Sequence, residues 1–139
     1  MTVEIGTKRA FEAAHRQLGD PSKCGKLHGH NWLVEVMIEG NPNGIGYVKD
    51  FKDIYAIVDE FDHAVLLKEN DPLIDILNTA KQNVVILDLN PTCENLSIIL
   101  ANMVWELQDI EEEPWKGLMV RVWENGTSSA SHIIKGDEE

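Results

Sequence analysis

Three of the five histidines are spaced so that their imidazole rings can meet around one metal ion. His28 and His30 stand two residues apart in a run whose even-numbered members are otherwise apolar, so both rings lie on one face of a β-strand. His15 ends the preceding predicted strand, and an antiparallel hairpin brings such a residue beside the start of the next one. Three neutral imidazoles suit Zn²⁺ and leave a coordination position open for catalysis. The spacing therefore predicts a catalytic zinc site, against the alternative of ordinary strand histidines.

A cysteine four residues before His28 is a candidate for proton transfer or nucleophilic attack. Cys24 is flanked by glycine and by Lys23 and Lys26, which describes a flexible and electropositive loop. Nearby cations and a metal lower the pKa of a thiol toward the reactive thiolate form. Two alternatives stay open here: Cys24 as a fourth zinc ligand that closes the site, or a buried and inert thiol. Cys93 falls in the first turn of a predicted helix, and we interpret it as a packing residue.

Two acidic positions adjoin apolar elements and are candidate site residues. Asp62 and His63 close the first predicted helix, and a carboxylate beside a histidine can make a proton relay near neutral pH. Neighbours on a helix do not face one another, however, so a solvated helix end is the plainer interpretation. Glu124 ends an apolar strand and lies either at the sheet rim or inside a pocket. If it is buried, it needs a cationic or N–H partner, such as the guanidinium-like edge of a ligand.

The apolar pattern predicts the elements that position these residues. Strands are expected at 2–15, 28–39, 118–124 and about 130–134, with helices at 50–66 and from Pro91-Thr92 through Leu107. The order β-β-α-α-β-β favours one α+β domain over residues 1–139, a four-stranded antiparallel sheet with two helices on one face. Residues 84–87 are a short extended piece within a surface excursion at 67–90. Two uncovered sheet edges favour a homo-oligomer.

Composition excludes several function classes. The chain has 139 residues and a formal net charge of −12, whereas nucleic-acid binding relies on clustered Lys and Arg. No apolar run approaches the roughly 18 residues of a membrane span, and the N-terminus has no signal-peptide pattern. We therefore expect a cytoplasmic protein without nucleic-acid or membrane partners. Residues 8–26 hold five basic residues against two acidic ones, which suits a small anion or is a chance fluctuation of surface charge.

Several blocks in this order resemble the family of 6-pyruvoyl-tetrahydropterin synthase and 6-carboxy-tetrahydropterin synthase. The most specific block is the Cys-x-x-x-His-Gly-His segment at 24–30, and the supporting blocks lie at 11–15, 46–51, 61–63, 91–95 and 120–124. The three-residue gap between Cys24 and His28 is similar to the bacterial carboxy branch, which serves queuosine biosynthesis. The chain departs from the family at Leu67, where Asn is usual, and in a 67–90 segment longer than in the shortest members.

The resemblance implies a fold, a reaction and an assembly. The fold would be the tunnelling fold, in which subunits join their sheets into barrels and two trimers stack into a hexamer. The substrate would be 7,8-dihydroneopterin triphosphate, and the products would be 6-carboxy-5,6,7,8-tetrahydropterin, acetaldehyde and triphosphate. The alternative is the pyruvoyl branch, which releases triphosphate without acetaldehyde. A non-catalytic binder and a structural zinc protein with four ligands are alternatives from other classes.

The resemblance also implies roles for individual residues. Zinc on the three histidines would bind the substrate's side-chain hydroxyl oxygens as a Lewis acid. Cys24 would accept a proton, with Asp62 and His63 as its relay. Glu124 would anchor the amino-pyrimidine edge of the pterin by charge-assisted hydrogen bonds. The remaining pterin contacts would come from Thr92 and Glu94. From the basic stretch at 8–26, and not from the resemblance, we infer that Arg9, Arg16, Lys23 or Lys26 receives the triphosphate.

Overall fold

The structure is a computed structural model that describes residues 1–137, where the chain forms six strands and three α-helices. The strands are β1 Val3–His15, β2 His28–Gly40, β3 Ala64–Lys68, β4 Val84–Leu87, β5 Gly117–Trp123 and β6 Ser129–Lys135. The helices are α1 Phe51–Asp59, α2 Leu73–Thr79 and α3 Cys93–Trp105, and a single 3-10 turn covers Lys23–Gly25. Among residues 1–137, no helix has the length and apolarity needed to cross a membrane.

All six strands form one mixed sheet in the order β4-β3-β1-β2-β5-β6. The four strands predicted from the sequence, β1, β2, β5 and β6, pair antiparallel as expected. Beyond β1, however, β3 runs parallel to β1 and β4 runs parallel to β3. The α+β class is therefore confirmed, whereas the four-stranded, purely antiparallel sheet with two helices is wrong in detail.

The predicted helix at 50–66 is in fact a helix, a turn and a strand. Asp50 caps α1 by accepting a hydrogen bond from the backbone N–H of Lys52 at 2.9 Å, and the helix ends at Asp59. His63 then adopts a left-handed backbone conformation, with φ of 55°, which redirects the chain into β3. A run of four apolar residues at 64–67 fits a helix or a strand equally well, so its pattern alone does not find this boundary.

The β1–β2 hairpin carries the core and the candidate site on the same face. Its register pairs His15 with His28 and Phe11 with Trp32. The even-numbered side chains of β2 beyond His30 are buried in a core shared with α1 and α3. The period-two burial predicted for this strand is therefore confirmed, and the histidines stand at its end, where the core meets solvent.

The segment predicted as a surface excursion is tied into the sheet. It contains α2 and β4, so residues 84–87 are extended as expected but also extend the sheet by one strand. Arg16 donates two hydrogen bonds to the carboxylate of Asp71, one of them at 2.8 Å from Nε. The Asp71 side chain is fully buried, and it also accepts from the backbone N–H of Leu73 at 2.9 Å. This ion pair fastens the segment to the chain just after His15.

Replacing Asp71 by Asn is expected to destabilise the protein by about 2 kcal/mol at pH 7, because it leaves Arg16 without a charged partner. The Arg16 guanidinium holds the pKa of Asp71 below its ordinary value of 3.8. Its stabilisation is therefore present above the carboxyl's ordinary pKa and is lost as pH falls through the folded pKa. Denaturant unfolding at pH 7 and near pH 3 measures both effects.

The matched control is Asp59→Asn, which breaks the Arg9–Asp59 pair. Both of those side chains are more than two-fifths exposed, so solvent screens their attraction and a much smaller loss is expected. Equal losses in the two variants, or a loss for Asp71→Asn that does not shrink in acid, would contradict the assigned role of this buried carboxylate.

Candidate metal centre

Four side chains from three strands converge at one end of the sheet. His15 comes from the end of β1, His28 and His30 from the start of β2, and Glu124 from the residue that follows β5. Each offers a ligand atom, and these atoms all lie within 4.8 Å of one another. The convergence predicted for the three histidines is thus present, and the structure adds a carboxylate to them.

Backbone carbonyls orient two of the rings. His15 Nδ1 donates to the carbonyl of Pro91 at 2.7 Å, and His28 Nδ1 donates to the carbonyl of Lys26 at 2.6 Å. A carbonyl only accepts, so in each neutral ring the proton is on Nδ1 and Nε2 presents a lone pair. The two Nε2 atoms are 3.1 Å apart. Two lone pairs at this distance repel unless a cation or a proton lies between them, so the arrangement suits a metal ion.

Burial favours the neutral forms of His15 and His30, and the neutral imidazole is the form that binds metals. His15 is fully buried, and its ring packs edge-on to Trp32 with ring centroids 4.9 Å apart. Removal from water lowers the pKa of His15, and it lowers the pKa of His30 despite the opposing carboxylate of Glu124. Neutral imidazoles on an apolar floor are typical of a site that excludes bulk water from one side of the ion.

The sequence left Glu124 either at the sheet rim or inside a pocket, and it did not place this residue among the histidines. Its Oε1 lies 3.1 Å from His30 Nε2 and 3.4 Å from His15 Nε2. Trp123 pairs with Leu33 across the β2–β5 ladder, which puts the following residue beside the start of β2. The position of Glu124 beside the histidines follows from the pairing register of two strands that are 90 residues apart in the sequence. The residue pattern of a single strand does not indicate it.

Cys24 lies outside the metal group. It is exposed, within the 3-10 turn, and its backbone N–H donates to Ser22 Oγ at 3.3 Å. Within residues 1–137, the four side chains that could hold a metal ion together include no cysteine. The structure therefore does not support a cysteine as the fourth ligand. Exposure also removes the alternative of a buried thiol. Cys93, in contrast, is buried in the core as predicted, and burial raises the pKa of its thiol to about 11, so it stays protonated.

Asp62 and His63 form the predicted pair, although they lie in a turn and not in a helix. His63 Nδ1 is 2.9 Å from Asp62 Oδ2, while Asp62 Oδ1 accepts from the backbone N–H of Glu12 at 2.8 Å. The left-handed conformation of His63 lets adjacent side chains meet, which a helix does not allow. The Glu12 N–H and then His63 lower the pKa of Asp62, and Asp62 raises the pKa of His63.

Replacing Asp62 by Asn is expected to lower the pKa of His63 toward its ordinary value of 6.5, because the carboxylate that stabilises the imidazolium is gone. The measurement is an NMR titration of the His63 ring protons in both proteins. The ring signals of His132, on β6, serve as the internal reference, which the substitution should leave unchanged. A His63 titration that is identical in the two proteins would show that Asp62 does not act on this imidazole.

The relay pair of Asp62 and His63 is not joined to Cys24. His63 and His30 both line a shallow depression of about 420 Å³ between β1, β2 and the turn. No hydrogen bond links Cys24 to Asp62 or His63 in the part of the chain that the structure describes. The structure therefore brings the histidines and Glu124 together and leaves the proposed proton-transfer groups unconnected within one chain.

The segment before α3 has a positioning role that sequence reasoning missed. Thr92 caps α3 by accepting a hydrogen bond from the backbone N–H of Asn95 at 3.1 Å, and Glu94 lies exposed in the first turn. Pro91 contributes the carbonyl that orients His15. A backbone carbonyl is common to every residue type, so no sequence signal identifies it.

Two of the four candidate phosphate-binding residues are already engaged. Arg9 binds both carboxylate oxygens of Asp59 at 2.9 Å and stacks over the ring of Tyr55, and Arg16 binds Asp71. In contrast, no ion pair within residues 1–137 involves Lys23 or Lys26, which flank Cys24. These lysines remain the candidates for receiving an anion.

Comparison with known proteins adds relatives of named activity. A family model described as 6-pyruvoyl tetrahydropterin synthase matches residues 4–133. A probable 6-carboxy-5,6,7,8-tetrahydropterin synthase of Halobacterium salinarum is 33% identical over 133 residues, covering 93% of this chain and 87% of the relative. A 6-carboxy-5,6,7,8-tetrahydropterin synthase of Rickettsia bellii is 39% identical over 103 residues, covering 68% and 75%. The structure of 6-pyruvoyltetrahydropterin synthase from Plasmodium vivax has a TM-score of 0.74 at 21% identity, covering 97% and 99%, and shows the shared fold.

Proposed function

Because this chain belongs to the 6-pyruvoyl tetrahydropterin synthase family, we propose that it is a zinc-dependent 6-carboxytetrahydropterin synthase. It would convert 7,8-dihydroneopterin triphosphate to 6-carboxy-5,6,7,8-tetrahydropterin, acetaldehyde and triphosphate. The observation that carries the metal dependence is the 3.1 Å approach of the Nε2 atoms of His15 and His28, whose Nδ1 atoms both donate to backbone carbonyls. The names of the relatives support the carboxy branch.

The donor set fits zinc. Three imidazoles are ligands that zinc prefers, and the carbonyls of Pro91 and Lys26 act as the outer partners that fix ring orientation. Zinc, when bound, supplies Lewis acidity toward the hydroxyl oxygens of the substrate side chain. The chain's part is to hold that ion against the apolar floor formed by Trp32.

Cys24 is the proposed proton acceptor. It is exposed and stands between two lysines that form no ion pair within residues 1–137. Asp62 and His63 are the proposed relay, since their hydrogen bond couples a carboxylate to an imidazole. The relay requires that the exposed loop at 16–27 and the turn at 60–63 approach each other, within one chain or between subunits.

The chain also offers groups to bind the rest of the substrate. Glu124 is proposed to anchor the amino-pyrimidine edge of the pterin, with Thr92 and Glu94 lining that pocket. Lys23 and Lys26 are proposed to receive the triphosphate, because both arginine candidates are engaged in ion pairs. The two edge strands, β4 and β6, support a homo-oligomer, for which we propose the hexamer of the tunnelling fold. A cytoplasmic role in queuosine biosynthesis is part of the same proposal.

Product analysis tests this function. Zinc-loaded protein is incubated with 7,8-dihydroneopterin triphosphate, and acetaldehyde, triphosphate and the pterin product are each quantified. Release of acetaldehyde and triphosphate in equal amounts supports the carboxy branch, whereas release of triphosphate without acetaldehyde identifies the pyruvoyl branch. Binding of the substrate with no release of triphosphate would contradict both enzymes and leave a pterin-binding protein.

A further inference from the structure

The loop between β1 and β2 holds its shape through contacts within itself. The backbone N–H of Gln17 donates to the carbonyl of Cys24 at 2.9 Å, and that of Asp20 donates to the carbonyl of Gln17 at 3.2 Å. Gly25 packs so closely on this turn that a Cβ atom there would overlap the carbonyl oxygen of Asp20. The stretch from Gln17 to Gly25 is therefore a compact unit, and a contact that fixes its start also fixes Cys24.

Asn90 fixes that start from a distant part of the sequence. Its Oδ1 accepts a hydrogen bond from the backbone N–H of Leu18 at 2.9 Å, and its Nδ2 donates to the carbonyl of the same residue at 3.1 Å. The reversed amide would set donor against donor, so this pairing defines the orientation of the side chain. Asn90 thus binds Leu18 as a neighbouring strand would, and it satisfies both backbone polar groups of that half-buried residue.

The main chain of Asn90 is itself held beside the metal group. Its carbonyl accepts from the backbone N–H of Thr92 and from Asn95 Nδ2, both at 2.9 Å, which ties it to the start of α3. The carbonyl of the next residue, Pro91, accepts from His15 Nδ1 at 2.7 Å. Asn90 is therefore a direct link between the loop that contains Cys24 and the segment that orients a metal-ligand candidate.

We propose that Asn90 is a positioning residue, whose two hydrogen bonds to Leu18 hold Cys24 in a fixed position relative to the metal group. This inference rests on the proposed function, in which Cys24 accepts a proton. Proton transfer needs the acceptor within about 2.6–3.2 Å of the reacting group, so a loosened loop loses rate even when the metal-ligand candidates are intact. Asn90 takes no part in the chemistry itself, and its effect passes through the position of Cys24.

The first experiment measures how firmly the loop is held and does not need turnover. Amide hydrogen exchange is followed by NMR in the wild-type protein, in Asn90→Ala and in the control Asn102→Ala, which removes an exposed amide from α3. The probes are the N–H groups of Gln17 and Gly25, because they donate within the loop and not to Asn90. We expect exchange at both probes to become about tenfold faster or more in Asn90→Ala and to stay unchanged in the control.

The second experiment measures the consequence for catalysis. Asn90→Ala is expected to lower kcat for 7,8-dihydroneopterin triphosphate by about 10–100-fold, because a small displacement of a reacting group is enough to cost such a factor. KM and zinc affinity are expected to stay within about threefold of the wild-type values, since no group proposed to bind the substrate or the ion is removed. Asn90→Asp keeps the acceptor for the Leu18 N–H and loses the donor to the Leu18 carbonyl, so its kcat should lie between the other two values.

A double-mutant comparison tests whether this effect passes through Cys24. In a Cys24→Ala background, Asn90→Ala should cause no further loss of kcat, because the group that it positions is already gone. A residue that only stabilised the fold would lower kcat by the same factor in both backgrounds. The comparison therefore separates positioning of the thiol from a general structural role.

The outcomes also separate this inference from the proposed function. Unchanged exchange at Gln17 and Gly25 in Asn90→Ala, or an equal loss of kcat in both backgrounds, would overturn the inference. Weakened zinc binding in Asn90→Ala would overturn it as well, since the residue would then act on the metal group. Absence of turnover in the zinc-loaded wild-type protein would instead contradict the proposed function, while the exchange measurement still decides whether Asn90 holds the loop.

Discussion

Replacing Cys24 by Ala is expected to lower turnover of 7,8-dihydroneopterin triphosphate by about 10²–10⁴-fold while leaving the metal bound. The reason is that Cys24 is exposed and flanked by lysines, yet lies outside the group of four metal-ligand candidates. Its loss removes the proposed proton acceptor but no member of that group. Steady-state turnover and metal content, measured on the same preparation, test both halves of the expectation.

The matched control is Cys93→Ala, which removes the other thiol. Cys93 is buried, and burial raises the pKa of its thiol to about 11, so it is not a source of thiolate near neutral pH. That variant is expected to keep most of the activity and to lose modest stability from the small cavity it creates. Unchanged turnover in Cys24→Ala would remove Cys24 from the mechanism, and loss of metal in that variant would make it a ligand.

Replacing His28 by Ala is expected to weaken metal binding by more than about 100-fold and to abolish turnover, because a directly bound imidazole matters more than an outer-shell partner. His28 is the better choice than His15, which is fully buried and whose truncation would also open the core. Metal content after dialysis and turnover after re-addition of zinc are the measurements. Chelation of the wild-type protein should reproduce the loss of turnover, and zinc should restore it.

His132→Ala is the control for this variant, because it removes an imidazole from β6 that is not part of the metal group. It is expected to retain metal and activity. A His28→Ala protein that still holds zinc as tightly as the wild type would show that the imidazoles converge for packing and not for an ion. Equal loss in both histidine variants would point to a general loss of folding.

The residues that make the chemistry plausible could be predicted from the sequence because local backbone geometry fixes their directions. Side chains alternate along a strand, so the spacing of His28 and His30 decides that both rings share a face with Trp32. The strands β1 and β2 follow one another along the chain, and consecutive strands commonly pair. Their antiparallel pairing brings His15 into register with His28. The antiparallel strands, both long helices and the histidine trio follow from these short-range rules.

Only the tertiary structure decided which distant groups complete the site. The carbonyl of Pro91 accepts a hydrogen bond from His15, and the carboxylate of Glu124 lies beside the histidines. Asp71 forms an ion pair with Arg16. The residues in these contacts are 55 to 109 positions apart in the sequence. A backbone carbonyl has no residue signature, and a carboxylate pairs equally well with a metal, a pterin or an arginine until packing selects one. The short strand β3 escaped prediction for a related reason: a run of four apolar residues suits either a helix or a strand, and pairing with β1 resolves the choice. Residues 84–87 were expected to be extended, but only their pairing with β3 makes them a strand of the sheet.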